Sequence, residues 1–365
     1  MSKSITSYVR SEVSPADAYR LAPREHHPES VFLNLNESPY PLSPKAQQVL
    51  ETFTSGNRYP DFTQAPLREA IGNYVGFAPE QITVGAGLDD VFAILATLFV
   101  SPGKEVVISD PTFGVYSTFY PLHGATIVDV PLGPAPDFAF DPEGVIAAVN
   151  DNTAFVMICN PNNPTGNLFS LEDVEKVVSS VECPVAIDEA YAEFSGIDHL
   201  ELARTYPNVI ILRTLSKFAG LAGIRVGYAI FAEDMVPYVA AATPAFANVS
   251  ALSAEIAIAS LQDLDYLSAN RDEQVAERER VTALLNEIPG ITAYPSATNF
   301  VMFNTPGDDA TPILNALKER HIYIRHYGNP AWGLAGHLRV SIGLPDENTK
   351  FLAALEDIIT NKEGA

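Results

Sequence analysis

From about residue 80 onward, short apolar runs rich in Val and Ile recur along the chain, each separated from the next by a helical pattern. The runs are Gln81–Val84, Val106–Ser109, Ala154–Cys159, Val185–Ile187, Val209–Arg213 and Val226–Ile230. None alternates apolar with polar residues, so each reads as a strand buried on both faces. Such strands, alternating with helices, predict an α/β fold with a mostly parallel sheet sandwiched by helices. The clearest helix begins at Ser170, an N-cap with Asp173 three residues on. Leu171, Val174, Val177, Val178 and Val181 then mark its apolar face.

The pattern changes further on. A long helical region follows Ser250 and runs through Arg271–Leu285. After Pro289 come short strands and single helices: Ile291–Thr292, Phe300–Phe303, Pro312–Arg320, Ile322–Arg325, Leu338–Ile342 and Asn348–Ile359. This reads as a smaller α+β C-terminal domain. The expected division is an N-terminal arm over 1–32, with Pro15, Pro23 and Pro28, a large domain over 33–260 and a small one over 261–365. A chain of 365 residues suits one large domain plus a smaller one.

Charge narrows the partners. Asp and Glu number 45 against 22 Lys and Arg, a formal charge of −23. Nucleic acid and anionic membrane both repel such a chain. The longest apolar run, near Val91–Val100, is half of what a membrane span needs. The opening MSKSITSYVRSEVSP has no apolar core and does not read as a signal peptide. Cys159 and Cys183 sit in apolar segments and read as buried thiols, which fits a cytoplasmic location.

Four segments at predicted strand ends carry the chemistry, where open α/β sheets bind ligands. Val84-Gly85-Ala86-Gly87-Leu88-Asp89-Asp90 runs from strand to helix through glycines, a place for a phosphate. A dinucleotide fingerprint would need a third glycine at Asp90, so a nicotinamide cofactor is disfavoured. Asn160-Pro161-Asn162-Asn163-Pro164-Thr165-Gly166 makes a rigid turn, which alone is only a loop. Asp188, in Ile187-Asp188-Glu189-Ala190-Tyr191, is a carboxylate at a strand end in apolar surroundings and needs a partner. A protonated ring nitrogen is one candidate; a metal is not expected, because no His or Cys lies nearby at ligand spacing. Lys217, in Thr214-Leu215-Ser216-Lys217, follows an apolar strand among small residues. Desolvation there favours the neutral, nucleophilic amine. Arg225, eight residues on, offers a fork for phosphate. A lone lysine at a strand end is more often a surface lysine, but the four segments reinforce one another.

In this order they resemble the fold-type-I aminotransferases, which depend on pyridoxal phosphate. Asn163 stands 25 residues before Asp188, and Asp188 stands 29 before Lys217. The chain is similar, more closely, to the histidinol-phosphate aminotransferase family. Asn34-Leu35-Asn36-Glu37-Ser38-Pro39-Tyr40, Arg58-Tyr59-Pro60-Asp61, Asp110-Pro111-Thr112-Phe113, Asn299-Phe300-Val301 and Leu338-Arg339-Val340-Ser341-Ile342-Gly343 support the likeness.

The resemblance implies a role for each residue. Lys217 would carry the cofactor and shuttle the proton. Asp188 would pair with the pyridinium nitrogen, while Tyr191 and Asn163 would bond the ring oxygen. Phe113 would stack on the ring. Thr214, Ser216, Arg225 and the Ala86, Gly87 and Leu88 backbone would hold the phosphate. Arg339 would clamp a carboxylate and Arg325 a distal anion, with Asn36 and Tyr40 near the substrate. Tyr59 would reach the phosphate in a neighbouring subunit of a homodimer. The expected reaction moves an amino group between L-histidinol phosphate and 2-oxoglutarate. Alternatives are an aromatic amino acid aminotransferase, a threonine-phosphate decarboxylase and a non-enzymatic regulator; the last lacks a basic DNA-binding stretch here.

Overall fold

The computed structural model describes residues 4–14 and 27–362. Pro15 and Pro23 of the expected arm lie outside the described residues. In chain order the strands are β1 (Val31–Phe32), β2 (Ile82–Gly85), β3 (Glu105–Ile108), β4 (Thr126–Asp129), β5 (Thr153–Cys159), β6 (Val185–Asp188) and β7 (Val209–Thr214). They continue with β8 (Gly227–Ile230), β9 (Thr292–Ala293), β10 (Phe300–Asn304), β11 (Ile322–Tyr323), β12 (Arg325–His326) and β13 (His337–Ser341).

Seven strands form the main sheet in the order β2-β8-β7-β6-β5-β3-β4. Only β8 runs against its neighbours. Every residue of β5, β6, β7 and β8 is buried. Successive side chains of a strand point to opposite faces, and here the two sets enter two separate cores. Val156, Ile158, Val185, Ile187, Val209 and Ile211 join helices Pro44–Thr52, Ala65–Val75, Leu171–Ser180 and Ala251–Leu261. Phe155, Met157, Cys159, Ala186, Ile210 and Leu212 pack on the other side, against helix Leu88–Phe99. Burying a Val, Ile or Leu fully stabilises by roughly 1.5–3 kcal/mol, so a strand read on both faces contributes about twice that of a half-wet strand of equal length. The seventh strand, β4, was not expected. It lies at the sheet edge with no fully buried residue, so it lacks the long apolar run that marks the others.

Ser170 caps its helix as expected, accepting from the Asp173 amide. Val174, Val177 and Val178 are sealed beneath it, but Leu171 is 46% exposed. Leu171 occupies the first turn, before the helix has settled onto the sheet. Ser43 and Ser250 cap two further helices in the same way.

A third core lies between helices Leu264–Leu285, Thr311–Glu319 and Pro345–Lys362 and an antiparallel sheet of order β12-β13-β10-β9. β1, at the end of the expected arm, pairs in parallel with β11 in a separate two-stranded sheet, and Val31 and Leu33 enter this third core. The chain thus contributes to the C-terminal core before it enters the main sheet. Cys159 is buried, whereas Cys183 is half-buried in the turn before β6; both are free thiols. Among the described residues no helix is long and apolar enough to cross a membrane, and no group of three His, Cys, Asp or Glu could hold a metal ion.

Candidate active site

A cavity of about 660 Å3 opens at the carboxyl ends of the parallel strands. Asp188 ends β6, Thr214 ends β7 with Ser216 and Lys217 just beyond, and Cys159 ends β5 with Asn163 following. Asn34–Glu37 and the segment from Arg325 to Trp332 supply the opposite wall, together with Arg339 of β13. The strands thus converge chemistry that is scattered over 300 residues of sequence.

Asp188 is 2% exposed. Its Oδ2 accepts from the Tyr116 hydroxyl at 2.6 Å, and its Oδ1 accepts from the Ala190 amide at 3.1 Å. Burial pushes its pKa up to about 6, although both donors pull it back. Among the described residues no cationic side chain is hydrogen-bonded to it, so the carboxylate suits a cationic group brought from outside. Lys217 lies opposite in character. Lost hydration, then the nearby Arg339 and Arg225 charges, lower its pKa to about 8. Its Nζ donates to the Leu35 carbonyl at 3.0 Å. At about 8, roughly a tenth of this amine is neutral and nucleophilic at pH 7, far more than at its ordinary 10.5. Tyr191 is buried, and its hydroxyl accepts from Asn36 Nδ2 at 2.8 Å and Asn163 Nδ2 at 3.4 Å.

An anion cradle lies at the start of helix Leu88–Phe99. No side chain caps Gly87, so the first helix amides keep their free N–H groups. Gly87 has φ +84°, and a Cβ there would collide with Arg225 Nη2. Only glycine lets Arg225 come so close. Thr214 Oγ1 and Ser216 Oγ, 3.0 Å apart, line the same end of the cavity. The Ala86 amide donates to Asp90 Oδ2 and the Gly87 amide to the Gly85 carbonyl. Neither residue lines the cavity, whereas Leu88 does. Of the expected backbone donors Ala86, Gly87 and Leu88, the first two are therefore engaged in holding the turn.

Arg325 and Arg339 are direct cross-strand partners on β12 and β13, and both line the cavity. Like charges directly opposed destabilise a sheet, which an anion between them would relieve. Arg339 is 5% exposed; its Nη1 donates to Asn163 Oδ1 and its Nη2 to the Asn34 carbonyl. Its buried Nε has no partner. Phe300 lies 4.8 Å below the guanidinium, and Phe113 lines the cavity as expected.

Two expected residues lie elsewhere. Tyr40 does not line the cavity; its hydroxyl donates to Glu273 on helix Leu264–Leu285, which turns the ring away. Tyr59 is 73% exposed and packs with Phe62 and Phe246, outside this cavity. Among the residues that escaped the sequence reading are Tyr327 and Trp332, which line the cavity wall, and Tyr116, which does not line it but lies behind Asp188. The cluster Asp110-Pro111-Thr112-Phe113 pointed to this region, but nothing in it singles out the tyrosine three residues later.

An amine, a buried carboxylate without a cation and an anion cradle together suit a molecule with an aldehyde, a basic ring nitrogen and a phosphate. Pyridoxal phosphate is such a molecule, and these residues fit it. The comparisons agree on the class: the family Aminotransferase class I and II matches residues 28–355, and the chain belongs to it. Within that family it is 37% identical over 98% of its length to the whole of the histidinol-phosphate aminotransferase of Roseiflexus castenholzii. It is 38% identical to that of Thermococcus gammatolerans, over 90% of this chain and 92% of the other. The solved histidinol-phosphate aminotransferase of Sinorhizobium meliloti, in complex with pyridoxal-5'-phosphate, is similar with a TM-score of 0.86 at 26% identity, over 97% of this chain and 99% of that one.

Proposed function

We propose that this chain is a pyridoxal-phosphate-dependent aminotransferase that moves an amino group between L-histidinol phosphate and 2-oxoglutarate. The observation that carries the substrate is the register pair Arg325 and Arg339, set side by side in the cavity that holds Lys217 and Asp188. Histidinol phosphate brings a phosphate and glutamate brings two carboxylates, so one arginine pair serves both halves of the reaction. When bound, the cofactor supplies an aldehyde for amines and a ring that withdraws electrons from the substrate Cα.

The chain's own residues do the rest. Lys217 anchors the cofactor through Nζ and moves the proton at the substrate Cα. Asp188 keeps the ring nitrogen protonated. Tyr191 and Asn163 hydrogen-bond the ring oxygen, and Phe113 covers one ring face. Thr214, Ser216, Arg225 and the helix start at Leu88 hold the phosphate. Asn36 and Arg339 orient the substrate, and the tight packing of residues 34–37 over Lys217 excludes water. The partition into 33–260 and 261–365 puts the cavity where the ends of the main-sheet strands meet the segment Arg325 to Trp332 and Arg339 of the smaller part. A homodimer completes the site: Tyr59, Phe62 and Phe246 form an exposed aromatic cluster, which suits a surface covered by a second copy. A cytoplasmic location fits the two free thiols.

The test is a panel of amino donors with 2-oxoglutarate. Histidinol phosphate is expected to give the highest kcat/KM. A preference for phenylalanine or tyrosine would replace this reading with an aromatic aminotransferase. Lys217→Ala should abolish multiple turnover, and borohydride should label Lys217 alone.

A further inference from the structure

We propose that Tyr116 is a positioning residue of this site: its buried hydroxyl fixes the Asp188 carboxylate as the ionised partner of a cationic ring nitrogen. This rests on the role given to Asp188 above.

Tyr116 lies in the short helix Val115–Phe119 and has no solvent exposure. Its hydroxyl meets Asp188 Oδ2 at 2.6 Å, across 72 residues of sequence. That distance belongs to charge-assisted O–H···O⁻ bonds, which are about twice as strong as neutral ones. The ring cannot swing away. Phe92 meets it edge-on with centroids 5.5 Å apart, and Phe113 meets it edge-on at 5.6 Å. Phe113 lines the cavity, so one tyrosine braces both Phe113 and Asp188, the residues that would meet the ring face and the ring nitrogen. A phenol has one proton to donate, and here it goes to Asp188. Each carboxylate oxygen then has one donor from the protein, Tyr116 or the Ala190 amide, and keeps a lone pair for the cavity.

Apart from Lys217, the other groups that face Asp188 oppose ionisation or are neutral. Glu189 on its own strand and Asp89 on helix Leu88–Phe99 repel the anion. Cys159 on β5 and Tyr120 below Tyr116 are sealed and stay protonated. Lys217 favours it by charge alone. Tyr116 is thus the one side chain among the described residues seen to donate a hydrogen bond to the carboxylate. A purely structural account would have Asp188 serve only to satisfy a buried phenol. Tyr120 supplies the control, because it is equally sealed and does not bond Asp188.

The experiment is a double-mutant cycle, read on the affinity of the apoprotein for pyridoxal phosphate by absorbance titration. Tyr116→Phe should weaken binding by about tenfold or more when Asp188 is present. In the Asp188→Asn background the same change should have no further effect. The pH at which affinity falls should move up by about one unit in Tyr116→Phe, and should not move in Tyr120→Phe. If Tyr116→Phe does not fold, fluorotyrosine at position 116 keeps the shape and strengthens the donor, and the midpoint should move down instead. An equal loss in both backgrounds, or an unmoved midpoint, overturns the positioning role. A wild-type protein that does not bind pyridoxal phosphate overturns the functional reading itself, which is a different result from binding without coupling.

Discussion

Asp188 and Glu189 are neighbours in sequence, at 2% and 1% exposure, yet they stand in opposite electrostatic surroundings. Asp188 faces the cavity and touches only neutral donors, Tyr116 and the Ala190 amide. Glu189 points behind the sheet end. Its Oε2 meets Arg213 Nε at 2.8 Å, and its Oε1 meets His199 Nδ1 at 2.8 Å. Burial raises both carboxyls. For Asp188 burial wins, and the group is held at about 6. For Glu189 the Arg213 and His199 contacts outweigh burial, and the group sits below the usual carboxylate range. The same division runs through the arginines. Arg213 is tied to Glu189 and Asp198, while Arg339 donates to Asn163 Oδ1 and the Asn34 carbonyl, both neutral. Buried ion pairs hold the fold, and buried ions with neutral partners remain available to a ligand; Arg225 stands outside this division, since its pair with Asp89 at 3.1 Å is exposed and can yield to a phosphate.

The largest effect should fall on the paired member. Glu189→Gln leaves Arg213 buried without its counter-charge, and should cost roughly 3–5 kcal/mol of stability in urea unfolding. Because Glu189 is held low, its contribution is present at neutral pH and is lost as pH falls through its depressed folded value. A mild loss would mean that the division between the two carboxylates is not real. Asp188→Asn should behave in the reverse manner. Its kcat should fall by about 100- to 1000-fold, since a preorganised charge at the reacting ring is removed, while the protein stays folded.

Arg325→Leu extends the comparison to the cations. It should weaken use of histidinol phosphate by roughly 1.5–3 kcal/mol, read as KM, and should barely change phenylalanine. Equal effects on both donors would place Arg325 with the structural ions. The apoprotein offers a subtler test. Asp188 has a folded pKa of about 6 against an ordinary 3.8, so the buried anion costs stability above about pH 6 and costs none once both states are protonated. Asp188→Asn should therefore stabilise the apoprotein at pH 7 by roughly 1–3 kcal/mol, and the gain should vanish near pH 4. Tyr40→Phe gives the smallest change. Its bond to Glu273 is exposed and outside the cavity, so stability should shift by less than about 1 kcal/mol and turnover should not move.

The doubly buried strands were legible because burial on two faces leaves an uninterrupted Val and Ile run. β4 was not, because an edge strand needs no such run. Lys217, Asp188, Asn163 and Arg225 were legible because their chemistry depends on position along a strand end, which spacing preserves. Tyr116 was not, since its role comes from a contact 72 residues away. Tyr40 shows the converse. It stands four residues beyond Asn36, which does line the cavity, but a carboxylate on a distant helix decides where its ring points.

The pairing of β1 with β11 has a consequence for how the molecule comes into being. Asn36 donates from its amide to Ser341 Oγ at 2.8 Å, a contact spanning 305 residues. Leu35, next to it, offers its carbonyl to Lys217. Synthesis delivers the N-terminal end first, yet residues 31–36 have no sheet to join until β11 and β13 have been made. A nascent chain on the ribosome can close its central sheet around Asp188 and Lys217 long before this wall is available. The cavity is therefore closed only once residues 322–341 have been made, after every strand of the central sheet.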